Sequence, residues 1–198
     1  TSVASFSLLI ADGAVLAALL SSLISLAGNA RPRLFQVGTF LLLGISGLAA
    51  LIAGLLPLIA STVSTQTLII GLPWLNWHLR LDPLSGWFLV MIGEVTLAVA
   101  AYGPGYVRAF THGSHSLSVL GSFTGLFIAG MELVVLADDA FAFLVAWELM
   151  SISSYFLVAY QHQHAVNRRA AFLYLLMAHL GAVAILLGAG LLSWQGHV

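Results

Sequence analysis

Phe141-Ala-Phe-Leu-Val-Ala-Trp-Glu-Leu-Met-Ser-Ile-Ser-Ser-Tyr155 decides the reading of this chain. It is a helix-length apolar run with one carboxylate, Glu148, near its middle. An ionised carboxylate in hydrocarbon costs roughly 3 kcal/mol or more. A run that keeps one needs an offsetting gain, and proton or ion handling is the default expectation. The rest of the chain supplies the hydrocarbon setting. It is 61% hydrophobic and 7% charged, with a mean hydropathy of +1.06. A soluble domain carries about 25% charged residues.

Apolar runs of about 20 residues recur along the chain, each long enough to cross a bilayer. In lipid they must be helices, because every backbone amide needs an internal partner. The expected fold is an all-α polytopic membrane protein forming a single transmembrane domain over residues 1–198. About six spans emerge, at residues 6–27, 37–60, 84–101, 117–137, 139–160 and 169–194. Residues 61–82 do not read as a span. Two short β-prone stretches divided by Pro73 predict a small hairpin on the outer surface. Trp74, Trp77 and Trp87 suit an interface belt. Pro83 suits the first turn of the third span, where a missing N–H does no harm. Gly121, Gly125 and Ala129 form a small-residue stripe on the fourth span, and Gly44, Gly47, Ala50 and Gly54 another on the second. Such stripes permit close helix approach, and they also occur simply because membrane helices are glycine-rich.

Arginine placement predicts orientation. Arg31 and Arg33 fall between spans one and two, Arg108 between three and four, and Arg168 and Arg169 between five and six. These loops share one side by parity, expected to be the cytoplasm. The other side holds Arg80, Asp138 and Asp139. Both ends are then expected on the periplasmic side of an inner membrane. Thr1 is not an initiator methionine, and the ends read as those of a fragment or processed chain.

Cysteine is absent, which excludes thiolate-ligated iron–sulfur or zinc sites in this chain. No cofactor is expected in it. A net charge of −1 argues against nucleic acid as a partner. All the cationic residues are arginine, so no lysine can serve as a buried proton carrier. No catalytic triad, phosphate loop or dinucleotide fingerprint is present. The pair His162 and His164 reads as part of a solvated loop rather than a metal site.

Three ionisable residues fall near mid-span: Glu94 on the third, Glu148 on the fifth and His179 on the sixth. Each lies about 15 Å from a helix end at the helical rise. Groups at one depth suit a proton path. Each also has a structural reading, as a carboxyl bonded across helices or a satisfied interior histidine. Histidine has the intrinsic pKa best matched to moving protons near neutrality. Ser151 and Tyr155 share the helix face of Glu148, with Ser154 nearby. Asp12 and Glu132 lie shallower, toward the outer face, and read as structural or interfacial.

Phe143-Leu-Val-Ala-Trp-Glu-Leu-Met-Ser-Ile-Ser-Ser-Tyr-Phe-Leu157 resembles the fifth helix of the antiporter-like proton-translocating subunits found in respiratory complex I, Mrp-type antiporters and membrane-bound hydrogenases. Leu79-Arg-Leu-Asp-Pro-Leu-Ser85, after an outer hairpin, resembles the entry to their third helix. Ala170-Ala-Phe-Leu-Tyr-Leu-Leu-Met-Ala-His-Leu-Gly181 resembles their sixth, and its histidine leans toward the hydrogenase-4 and formate hydrogenlyase branch. The resemblance implies that the chain is the N-terminal part of a longer subunit. It implies a translocation role for Glu148, which in the family pairs with a lysine on a later helix. It also implies partners: other membrane subunits, and peripheral subunits of an oxidoreductase complex that carry iron–sulfur clusters or nickel. This chain carries no redox centre of its own. An Mrp-type cation/proton antiporter subunit and a non-translocating membrane scaffold are the two other readings.

Overall fold

In lipid, hydrophobicity alone does not drive helices together, so small residues and polar side chains must do so. The fold follows that rule. In a computed structural model, which describes residues 3–27, 30–72, 75–108, 116–161 and 163–195, the chain forms long helices around one hairpin. The elements are α1 (Val3–Ser25), α2 (Phe40–Ala60), β1 (Ser64–Leu72), β2 (Leu75–Leu81), α3 (Pro83–Arg108), α4 (Leu117–Leu136), α5 (Ala140–Val158) and α6 (Ala165–Gln195). A helical turn at Pro32–Leu34 and a π-turn at Phe35–Thr39 lead into α2. With that π-turn joined to α2, 6 helices among the described residues are long and apolar enough to cross a membrane.

α1 runs through the middle, packing on α2 and α4, while α2 packs on α3 and α5 bridges α4 to α6. Both small-residue stripes lie at crossings. A Cβ on Gly47 would stand 2.9 Å from the Gly93 carbonyl, and one on Gly93 would stand 2.7 Å from the Gly47 carbonyl. About two turns further along, Gly54 and Gly86 meet in the same way. On α4, Gly121 and Gly125 press against Ser25 and Ser21 of α1. A hydroxyl bond crosses that seam, Ser122 donating to the Ser22 carbonyl (3.0 Å), while within α1 Ser25 donates to the Ser21 carbonyl (2.7 Å). With its hydrogen so used, Ser25 accepts from Thr39 (2.7 Å).

The hairpin forms as predicted, with Thr65 opposite Arg80 and Leu68 opposite Trp77. Pro73 and Trp74 lie outside the described residues, as does His162. Pro83 opens α3. The third span runs on to Arg108 rather than stopping near residue 101, despite Pro104. Packing decides this: Gly103 lies against the Phe40 ring, and Val107 is buried with Phe35 and Leu117. The sixth helix begins at Ala165 rather than Arg169. The His164 carbonyl accepts from the Asn167 and Arg168 amides, which starts the first turn early. Arg108, Arg168 and Arg169 therefore sit on helix ends rather than in loops.

Candidate functional site

Helix α5 is set by its cap. The Asp139 side chain accepts from the Ala142 amide (2.7 Å) and, through its other oxygen, from the His78 amide (3.0 Å). The His78 ring lies 3.1 Å from the same carboxylate. Burial alone would raise the Asp139 carboxyl; the amides of Ala142 and His78, with the His78 ring, outweigh it and hold the group below the usual aspartate range. Asp82 is also held low, first by the Ser85 amide, with Arg80 adding its charge. Arg80 also lies 3.9 Å from Asp138. A bridge between Leu79 and Ala137 completes the clamp of the hairpin on the turn between α4 and α5.

From that anchored end, α5 carries Glu148 eight residues inward, about 12 Å at the helical rise. Stacking of Phe123 on Phe156, with centroids 4.3 Å apart, fixes the rotation of α5 against α4. Glu148 is thereby turned toward α6, where His179 meets it. The distance from His179 Nε2 to Glu148 Oε2 is 3.2 Å. The other ring nitrogen, Nδ1, lies 2.9 Å from the Leu175 carbonyl. That carbonyl can only accept, so Nδ1 carries a hydrogen. Nε2 then faces the carboxyl with a lone pair, unless a proton lies between the two. The contact is attractive in two forms: imidazolium with carboxylate, or neutral imidazole with carboxylic acid. Both hold one shared proton and the same net charge.

The pair is half-open, with side-chain exposures of 47% for His179 and 36% for Glu148. Ser151, one turn along α5 from Glu148, and Ser153, on another side of the helix, are buried. Ser153 bonds back to the Leu149 carbonyl (2.6 Å), whereas the Ser151 hydroxyl finds no partner among the described residues. Tyr155 packs its ring on Phe156. On another side of α5, Trp147 and Met150 line an apolar groove of about 430 Å³ shared with Phe88, Ile92 and Met131.

The third sequence candidate, Glu94, is not brought to this pair. Helix α3 buries Gly86, Leu89, Gly93 and Thr96 against its neighbours, and Glu94 falls off that stripe onto the exposed face. The acids read as shallow behave differently from each other. Asp12 is hydrogen-bonded by Gln66 of the hairpin. Glu132 is 1% exposed and accepts from Ser46 of α2 (2.9 Å). Sequence reasoning missed that burial and the Asp139–His78 clamp. The available signal for the first was that Glu132 shares a face with Gly125 and Ile128. Among the described residues no three of His, Asp and Glu gather as a metal site.

Residues 137–197 match the family model described as NADH:quinone oxidoreductase/Mrp antiporter, TM. The chain is 39% identical over 125 residues to an uncharacterized protein of Mycobacterium tuberculosis, covering 63% of this chain and 19% of that one. It is 36% identical over 110 residues to Hydrogenase-4 component B of Escherichia coli, covering 55% of this chain and 16% of that one. It is 28% identical over 158 residues to the putative antiporter subunit mnhA2 of Staphylococcus epidermidis, covering 73% of this chain and 19% of that one. The matched stretch thus spans less than a fifth of each relative.

Proposed function

We propose, for a chain whose matches support an antiporter-like membrane subunit of the complex I and Mrp family, that it is the part of a proton-translocating subunit in which Glu148 and His179 hold the moving proton. The observation that carries this reading is the 3.2 Å contact between His179 Nε2 and Glu148 Oε2, with Nδ1 committed to Leu175. A proton can pass between these two atoms without changing the charge of the pair. Its release leaves a lone pair facing a carboxylate, so proton loading is coupled to the approach of α5 and α6.

In this reading the subunit sits in an inner membrane, within a hydrogenase-type or NADH–quinone-oxidoreductase-like complex. Redox chemistry takes place on partner subunits bearing iron–sulfur clusters or nickel, and this subunit couples it to proton movement. Glu148→Gln in the whole subunit is expected to abolish proton movement while assembly survives. Proton transport at the normal rate by a well-assembled variant would sink the proposal.

The similarity to a putative antiporter subunit covers 73% of the chain. It favours a second reading, an Mrp-type cation/proton antiporter subunit. Sodium-dependent proton movement in vesicles lacking any redox partner would select it. Proton movement that requires redox turnover and ignores sodium would select the first.

A further inference from the structure

Glu132 takes no part in that pair, and it is the most deeply buried carboxylate among the described residues. It projects from α4 among Ile128, Ala129 and Leu136, all buried. Its Oε1 accepts from Ser46 of α2, 2.9 Å away, while Oε2 is buried without a partner among the described residues. Ser46 adjoins Gly47, whose Cβ position lies 2.9 Å from both the Gly93 carbonyl and the Leu97 amide. That stretch of α3 carries Thr96, whose hydroxyl is likewise buried and unpartnered among the described residues. The close glycine crossing thus holds α2 where Ser46 reaches Glu132 of α4, and it lies beside a second buried, unpartnered oxygen, that of Thr96 on α3.

Among the described residues no cation is paired with the carboxylate. On the elements packed against α4, the ionisable groups are Asp12 of α1, Glu94, Tyr102, Tyr106 and Arg108 of α3, Glu148 and Tyr155 of α5, and His78 and Arg80 of β2. Helix α2 has none. Asp12 is engaged by Gln66, Glu148 by His179, His78 by Asp139, and Arg80 by Asp82 and Asp138. Glu94, Tyr102, Tyr106 and Arg108 face outward, and Tyr155 packs on Phe156. Burying a carboxylate with one hydroxyl donor and no paired cation is costly, and taking up a proton relieves that cost. Oε2, without a partner among the described residues, is the open place for that proton.

We propose that Glu132 is a second proton-binding site, set between α2 and α4, distinct from the Glu148–His179 pair and exchanging its proton with the hairpin side. Glu132 lies four residues before Leu136, about 6 Å from the end of α4 that the hairpin covers. Glu148 lies roughly twice as deep from the matching end of α5. In the binding step a hydronium ion gives its proton to Oε2 and leaves as water, while Ser46 keeps donating to Oε1. No other bond is made or broken.

The test is infrared difference spectroscopy of the full-length subunit in lipid vesicles after pH jumps, with and without carboxyl-labelled glutamate. The expected result is a protonated-carboxyl band whose intensity titrates with pH. Glu132→Gln removes it, Ser46→Ala shifts it, and Glu148→Gln leaves it in place. If Glu132→Gln fails to assemble, the Ser46→Ala shift decides on its own. A wild-type spectrum with no titrating band between about pH 4 and 10, or a band blind to Ser46→Ala, overturns the proposal. Normal transport by Glu148→Gln would sink the translocation reading alone and leave this site standing.

Discussion

The α2–α3 crossing and the α5–α6 contact are both helix pairs in lipid, and they are held by opposite means. At the first, glycine meets glycine, and backbone touches backbone at Gly47–Gly93 and Gly54–Gly86. At the second, the buried residues among those described on α6 are Ala171 and Ala182, and its polar link to α5 is the contact of His179 with Glu148. Helix α6 has glycines too. Positions 181, 188 and 190 have nothing within 4 Å of a Cβ. Glycine content therefore does not make a membrane crossing; glycine placed against a close partner does, whether glycine as here or serine as between α1 and α4. The difference suits the two jobs: a sealed crossing keeps its geometry, whereas a contact resting on one shared proton can open and close with that proton.

Swapping glycine for leucine on each side breaks the comparison most forcefully. In Gly54→Leu the new Cβ meets the Gly86 carbonyl and lies 2.9 Å from the Val90 amide, both backbone atoms that cannot rotate away. Overpacking of this kind costs about 1–3 kcal/mol, and more where backbone is the obstacle. Gly188→Leu in the same polypeptide enters open space, and its effect should stay within about 0.5 kcal/mol. Thermal unfolding of the two variants in one detergent checks this. Equal loss of stability would mean that the crossing is not the rigid part.

A cycle of His179→Leu, Glu148→Gln and the double variant measures the other contact. Interhelical polar bonds in membranes are worth about 0.6 kcal/mol on average and rarely exceed 1.7 kcal/mol. A coupling of that size is expected between the two positions. Zero coupling would show that α6 is held by packing alone, and that the 3.2 Å contact carries no energy.

The membrane helices were legible because hydrocarbon leaves a chain one local option, and residues 117–137 and 139–160 read almost as α4 and α5 form. The hairpin was legible from β-prone stretches on either side of Pro73. The ends of α3 and α6 were not. Pro104 and Arg168 are local stop signals, and distant packing at Gly103 and Val107, or the turn at His164, overrides them. For the candidate site, the sequence named Glu148 and His179 separately. Their meeting depends on how α5 is rotated by Phe123 and Phe156, a contact between helices that no periodicity encodes. Depth alone grouped Glu94 with them, and depth does not distinguish the packed face of α3 from its open face.

The smallest expected effect lies at the clamp that sets α5 before it reaches Glu148. Asp139→Asn keeps an oxygen for the Ala142 amide but removes the charge. The loss at neutral pH should be a few tenths of a kcal/mol, up to about 1. Its pH dependence is more telling than its size. The Asp139 carboxyl is held low because amide and ring hydrogen bonds outweigh burial. A carboxylate depressed in the fold stabilises it at pH values above the unfolded aspartate value of about 3.9, and the gain disappears as pH falls through the lower folded value. Wild type and Asp139→Asn should therefore differ at pH 6–7, and the gap should start to narrow below about pH 4 and close as pH falls through the lower folded value. Unfolding midpoints followed into that acid range decide it, and a gap that does not narrow at all below about pH 4 would assign the clamp to the shape of the cap rather than its charge.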